Sequence, residues 1–208
     1  MHEHENHAHH HGGHDQHGNP ADLDAYIRRI EGEDRQEWQR PDEVVAALRV
    51  RPGDTVADVG VGPGFFALRL ARAVGPRGRV YAVDVVPAMI AVLRDRIAGA
   101  ALDNVTPVLA RDDDPLLPEA ACDLILVVNT FHHFPDGVAY LRLLASRLKP
   151  GGRIANVDFH KREMPVGPPI EHKVARDDFL AVAREAGLEV AQEESFLPHQ
   201  YFVILRRG

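Results

Sequence analysis

Apolar positions recur at helical spacing from Asp22 to about residue 50, and from Thr55 onward short apolar runs alternate with helical stretches. Leu23, Tyr26, Ile27 and Ile30 share one helical face. PDEVVAALRV (41–50) predicts a second helix: Pro41 suits a first turn, Asp42 and Glu43 suit its positive end, and Pro52-Gly53 stop it. TVADV (55–59) reads as a buried strand, FFALRLARAV (65–74) as a helix and RVYAVDV (79–85) as a strand. The helix PAMIAVLRDRIAGA (87–100) follows, then the strands VTPVLA (105–110) and CDLILVV (122–128), the latter the most apolar. DGVAYLRLLASRL (136–148) predicts a helix, and the turn Lys149-Pro150-Gly151-Gly152 leads into the strand GRIANVDF (152–159). The helix starting at Arg176 stops at Gly187 and runs into a strand. QYFVILRR (200–207) is the last strand. Strands alternating with helices demand crossover connections, hence an α/β, doubly wound, mostly parallel seven-stranded sheet covered on both faces. Residues 22–208 contain no repeat and no linker, so they read as one domain.

Composition changes the picture at the start of the chain. Residues 1–21, MHEHENHAHHHGGHDQHGNPA, show no apolar periodicity and are expected to form a disordered His-rich tail. His2, His4, His7, His9, His10 and His11 are candidate ligands for a transition metal, since imidazole suits nickel, copper and zinc. Two plainer readings compete: an appended tag, against which the interruptions Glu3, Glu5, Asn6 and Asp15 argue, and a native tail that binds metal incidentally. The net charge of −7 argues against nucleic acid as partner, which calls for a basic face. The lone cysteine, Cys122, excludes an intrachain disulfide and a cysteine metal cluster. No apolar stretch reaches 18 residues and the opening segment is polar, so no membrane span and a cytoplasmic location are expected.

The most informative segment is Asp58-Val59-Gly60-Val61-Gly62-Pro63-Gly64-Phe65, at a strand-to-helix junction. Side chains at Gly60, Gly62 and Gly64 are expected to collide with a ligand laid across the carboxyl ends of the strands. A carboxylate there would meet the exposed N–H groups of the next helix. The nicotinamide fingerprint G-x-G-x-x-G fails from either starting glycine, because Phe65 and Ala67 stand where the third glycine belongs. The second strand ends in Asp84, 24 residues after Gly60, where a carboxylate can accept from two ribose hydroxyls. The alternative role for Asp84 is to cap the following helix.

DVGVGPG, VYAVD, ARDDDPLLP, DLILVVNTFHHF and LKPGGRIANVDF, in that order, resemble the class I S-adenosylmethionine-dependent methyltransferases, and most of all the ubiquinone/menaquinone-biosynthesis-type branch. The resemblance runs from about Trp38 to Gly208, and it implies a Rossmann-like sheet with an antiparallel last strand. Pro63 departs from the threonine or serine more usual in the loop. By resemblance, Asp58 and the Gly60 backbone would hold the methionine amine, Gly62 and Gly64 would make room, and Asp84 would bind the ribose. Val85 or Met89 would pack on adenine, Asp112 or Asp113 would accept from its amine, and Asn129 would face the methyl and the methionine end. For Met89 the competing reading is plain helix core.

Methyl transfer is an in-line displacement, so alignment and exclusion of water carry most of the catalysis. A hydroxyl or carbon acid also needs a general base. The candidates are His132, His133, Asp158, His160, Glu171 and His172; of these His133 and Glu171 are selected for the acceptor side, with His172 in reserve. The loop KREMPVGPPIEHK and the stretch GEDRQEWQRP with Trp38 are the expected covers. The expected function is methyl transfer from S-adenosylmethionine to a small-molecule acceptor. The alternative is a noncatalytic module that binds S-adenosylmethionine and carries a metal-binding tail. Aminopropyl transfer lacks paired acids for a polyamine, and thiolate-dependent metalloid methylation is at odds with the single cysteine.

Overall fold

Seven strands form one sheet in the order β3-β2-β1-β4-β5-β7-β6. They are β1 (Thr55–Val59), β2 (Arg79–Asp84), β3 (Val105–Leu109), β4 (Cys122–Val128), β5 (Leu148–Phe159), β6 (Leu188–Glu194) and β7 (Gln200–Arg207). β7 runs antiparallel to both its neighbours, and the pairs from β3 through β5 are parallel. This computed structural model describes residues 22–32 and 34–208; the histidine-rich stretch and its six candidate metal ligands lie outside the described residues.

Two cores flank the sheet because residues alternate faces along each strand. On one face Val56, Val80, Ala82, Leu124, Leu126 and Val157 pack under α3 (Pro41–Ala47), α4 (Ala67–Val74) and α5 (Pro87–Gly99). On the other, Ala57, Ile125, Val127 and Ile154 pack under α6 (Gly137–Arg147) and α7 (Arg176–Glu185). α1 (Leu23–Ile30) is capped by Asp22, whose side chain accepts from the Ala25 N–H, yet it buries none of its residues fully.

Three differences from the sequence expectation have local causes. RQEWQ forms a short helix, α2 (Arg35–Gln39), which ends where Arg40 turns left-handed (φ 45°) ahead of Pro41. β5 begins at Leu148 because the predicted turn Lys149–Gly152 sits inside it as a bulge: Cys122 pairs with Leu148, and Leu124 with Arg153. α4 starts at Ala67 because the glycine loop takes up Phe65 and Phe66.

The chain leaves β1 toward β2 and β3 on one side, and returns to place β4 and β5 on the other. Such a reversal opens a crevice at the carboxyl ends of the two central strands. The glycine loop after β1, Asp84 at the end of β2 and Asn129 after β4 fall at that edge.

Candidate active site

β1 delivers Asp58, with 2% of its surface exposed, to the start of the glycine loop. Its Oδ2 has no hydrogen-bond partner. Burial pushes the carboxyl up to about 7, against the Arg35 charge and the Ala67 N–H, which pull it down. A fully buried acceptor without a donor is costly unless a ligand supplies one, which fits an ammonium group at this position.

The three loop glycines all have positive φ, but they serve different ends. A Cβ on Gly60 would lie 2.1 Å from Thr130 Oγ1, and one on Gly64 would lie 2.7 Å from Leu93. Those two glycines allow protein to approach protein, which corrects the expectation that all three make room for a ligand. At Gly62 the nearest atom is Ile30 Cδ1, at 3.8 Å. Gly60→Ala is therefore expected to lower the melting temperature sharply. Gly62→Val keeps the fold at the cost of local φ strain, about 1–2 kcal/mol, and loses cofactor binding. Thermal melts with and without S-adenosylhomocysteine check both outcomes.

Asp84 closes β2, 8% exposed. It accepts from the Gly62 N–H (2.7 Å) through Oδ2 and from the Val86 N–H (2.9 Å) through Oδ1. Each carboxylate oxygen accepts more than one hydrogen bond, leaving capacity for ribose hydroxyls. Val85 is half-buried beyond it, whereas Met89 lies inside α5 with 2% exposed. Asp112 and Asp113 stand exposed past β3, in the turn bridged by Arg111 and Asp114. Tyr26 of α1 lies close enough to Asp84 for that charge to help burial raise its phenol.

At the end of β4, Asn129 adopts the left-handed conformation (φ 54°) that asparagine tolerates. Its Oδ1 accepts from Gln200 Nε2 (2.6 Å), whose Oε1 accepts from Gln39 Nε2 (3.1 Å), whose Oε1 in turn accepts from Arg35 Nε. Arginine only donates, so its position fixes the direction of every bond in this buried chain. Trp38 of α2 packs on Phe159 at the end of β5, with ring centroids 5.4 Å apart. The expected N-terminal cover thus lies on the acceptor-side edge.

Phe131–His133 forms a 3-10 turn after Asn129. His132 is the inward member: its Nδ1 lies 3.5 Å from Asp158 Oδ2, with side chains 11% and 1% exposed. That separation falls short of a hydrogen bond, and both atoms otherwise lack partners. Asp158 Oδ1 accepts from the Phe159 N–H, which holds the carboxylate in place. His133 is exposed, with its ring 4.1 Å from that of His132. Glu171 and His172 are exposed in the Ile170–His172 turn. The structure brings Asp58, the glycines, Asp84 and Asn129 to one edge, and the buried acid–imidazole pair there is His132–Asp158. Sequence reading missed Arg35, Gln39 and Gln200; a glutamine opening the apolar run YFVIL was the only available signal.

An open groove of about 880 Å³ runs behind the loop, between α3 and α4. Its Arg69 and Arg96 are already paired with Asp42 and Glu31, so the site residues do not converge there. Among the described residues no group of three or more His, Cys, Asp or Glu is placed to hold a metal ion, and no helix is long and apolar enough to cross a membrane.

Residues 56–152 match the family described as a methyltransferase domain. A structure described as a SAM-dependent methyltransferase from Aquifex aeolicus superposes with a TM-score of 0.83 at 28% identity, covering 87% of this chain and 96% of that one. In its fold, its loop and these matches the chain is similar to the class I S-adenosylmethionine-dependent methyltransferases. Its relatives include enzymes of the ubiquinone/menaquinone type. It is 30% identical over 166 residues to 27-O-demethylrifamycin SV methyltransferase of Amycolatopsis mediterranei, covering 74% of this chain and 60% of that protein. It is 34% identical over 121 residues to a ubiquinone/menaquinone biosynthesis C-methyltransferase of Burkholderia mallei, covering 56% and 48%. The chain thus spans about half to three-fifths of the length of these curated relatives.

The Asp58 environment carries a pH signature. An aspartate raised from its ordinary value near 3.9 to about 7 stays protonated in the fold while the unfolded chain has released its proton. Its stabilising share is full below about pH 4 and is lost as pH rises toward 7. Without cofactor, Asp58→Asn is therefore expected to gain on wild type by about 1.4 kcal/mol per pH unit across that window. Paired denaturation curves at several pH values check this, and parallel curves would contradict it.

Proposed function

We propose that this chain transfers the methyl group of S-adenosylmethionine to a hydroxyl of a small-molecule acceptor. The observation that carries the hydroxyl assignment is the imidazole of His132 set against the buried Asp158 carboxylate. Asp58 and the Gly60 backbone hold the methionine amine, Gly62 gives room, and Asp84 accepts from the ribose hydroxyls. Val85 borders the adenine and Asp112 or Asp113 accepts from its amine; Met89 supports that wall from within α5. Bound S-adenosylmethionine would supply a methyl group on a sulfonium, open to in-line displacement.

The remaining work falls to the acceptor side. Asp158 beside Nδ1 favours the tautomer with the proton on that nitrogen, leaving Nε2 to accept the acceptor's hydroxyl proton. Catalytic hydrogen bonds in a ligand-free site are often long and tighten on binding, so 3.5 Å is compatible with this role. His133, Glu171 and His172 stand at the exposed rim, suited to contacting the acceptor rather than to taking its proton. Trp38 and Phe159 wall the site and help exclude water. One relative is named for an O-demethylated substrate and another as a C-methyltransferase, so the oxygen assignment rests on the His132–Asp158 pair.

The test is a panel of hydroxyl, carbon-acid, amine and thiol acceptors, read by release of S-adenosylhomocysteine. Turnover confined to hydroxyl acceptors supports the proposal; turnover of carbon acids alone would overturn the hydroxyl assignment and leave methyl transfer standing.

A further inference from the structure

Arg35 of α2 stands over the glycine loop. Its guanidinium lies 3.9 Å from the centroid of Phe65, the residue that closes the glycine loop. Nη1 donates to the Ile30 carbonyl (2.7 Å), and Nε donates to Gln39 at the head of the buried amide chain. Ile30 is itself the residue facing Gly62. The guanidinium is thus anchored over the loop at two of its five N–H groups, leaving three donors in a fixed fork.

Among the described residues, no carboxylate forms an ion pair with those donors. Glu31, four residues before it, is taken by Arg96 through two hydrogen bonds of 2.6 and 2.9 Å, and neither Asp34 nor Glu37 forms an ion pair with Arg35. Asp58 is close enough for the two charges to influence each other, yet the pair makes no ion pair within 4.0 Å. Burial draws the Arg35 guanidinium down to about 10, the mark of a cation removed from water without full compensation. Across the same gap the buried Asp58 Oδ2 has no donor. A half-buried cation and a buried carboxyl oxygen without a donor, held apart, match the two ends of an amino-acid zwitterion.

We propose that Arg35 is a cofactor-binding residue that takes the carboxylate of the methionine end, while Asp58 takes its ammonium. This rests on the S-adenosylmethionine reading above and assigns a partner to an end of the cofactor that no side chain had claimed. Because Arg35 lies on α2, cofactor binding also secures the N-terminal helices over the site. The amide chain through Gln39 and Gln200 carries that closure to Asn129.

The experiment compares S-adenosylhomocysteine with its decarboxylated amine, which keeps the adenosine and the ammonium, by titration calorimetry on the full chain. Wild type is expected to prefer S-adenosylhomocysteine by at least ~10-fold, the scale of charge-assisted hydrogen bonds. Arg35→Met keeps an apolar stem over Phe65 and is expected to weaken S-adenosylhomocysteine about 10- to 100-fold. The amine should change by less than about threefold, so the preference collapses. Arg35→Lys, with one charge and no fork, should fall between. Equal weakening of both ligands in Arg35→Met would give Arg35 a purely structural role and overturn the proposal, as would an unchanged preference. Wild type binding neither ligand would instead remove the cofactor reading itself.

Discussion

His132→Gln is expected to lower turnover of a hydroxyl acceptor by at least ~100-fold while leaving S-adenosylhomocysteine affinity within about threefold. Glutamine approximates the imidazole's reach but has no basic nitrogen, so the acceptor's proton has nowhere to go. His133→Gln, on the exposed ring beside it, should lower turnover by less than ~10-fold, below the range of general-base removal. Asp158→Asn should resemble His132→Gln in kcat, because the amide no longer favours the tautomer that frees Nε2. Equal losses in the two histidine variants would move the base off His132.

The second large effect is on the cofactor. Asp84→Ala should weaken S-adenosylhomocysteine by about 10- to 150-fold, since a charged acceptor of two hydroxyls contributes about 1.5–3 kcal/mol. Some melting temperature is lost with it, because the Gly62 and Val86 N–H groups lose their acceptor. Asp84→Asn keeps an acceptor for one of them and separates the two losses. Asp95→Ala, on the exposed side of α5, is the control and should bind normally. Matching affinities in Asp84→Ala and Asp95→Ala, measured by calorimetry, would withdraw the ribose assignment.

The sheet was legible because its strands are short apolar runs with glycine and proline between them, a pattern the chain repeats from Thr55 to the last strand. The Gly60–Gly64 loop and Asp84 were legible for the same reason: their spacing is local, and local spacing survives folding. α2 was not, since five polar-rich residues carry no periodicity and are held by Trp38 packing on Phe159, more than a hundred positions away. The choice between His132 and His133 was equally hidden. The two rings lie 4.1 Å apart, and only the fold shows that Asp158, on β5, faces the first. Nor does spacing tell which glycine faces a ligand: Gly60 answers to Thr130 and Gly64 to Leu93, contacts that exist only once the strands and helices are assembled.

Titration of the full chain with S-adenosylmethionine, beside the same titration with NAD, tests the central claim most directly. The two cofactors bind at the same edge of related folds, and the loop here lacks the third glycine that the dinucleotide fingerprint requires. The account predicts saturable binding of one S-adenosylmethionine per chain, a rise in melting temperature, and no response to NAD. Saturable binding of NAD with none of S-adenosylmethionine would contradict it.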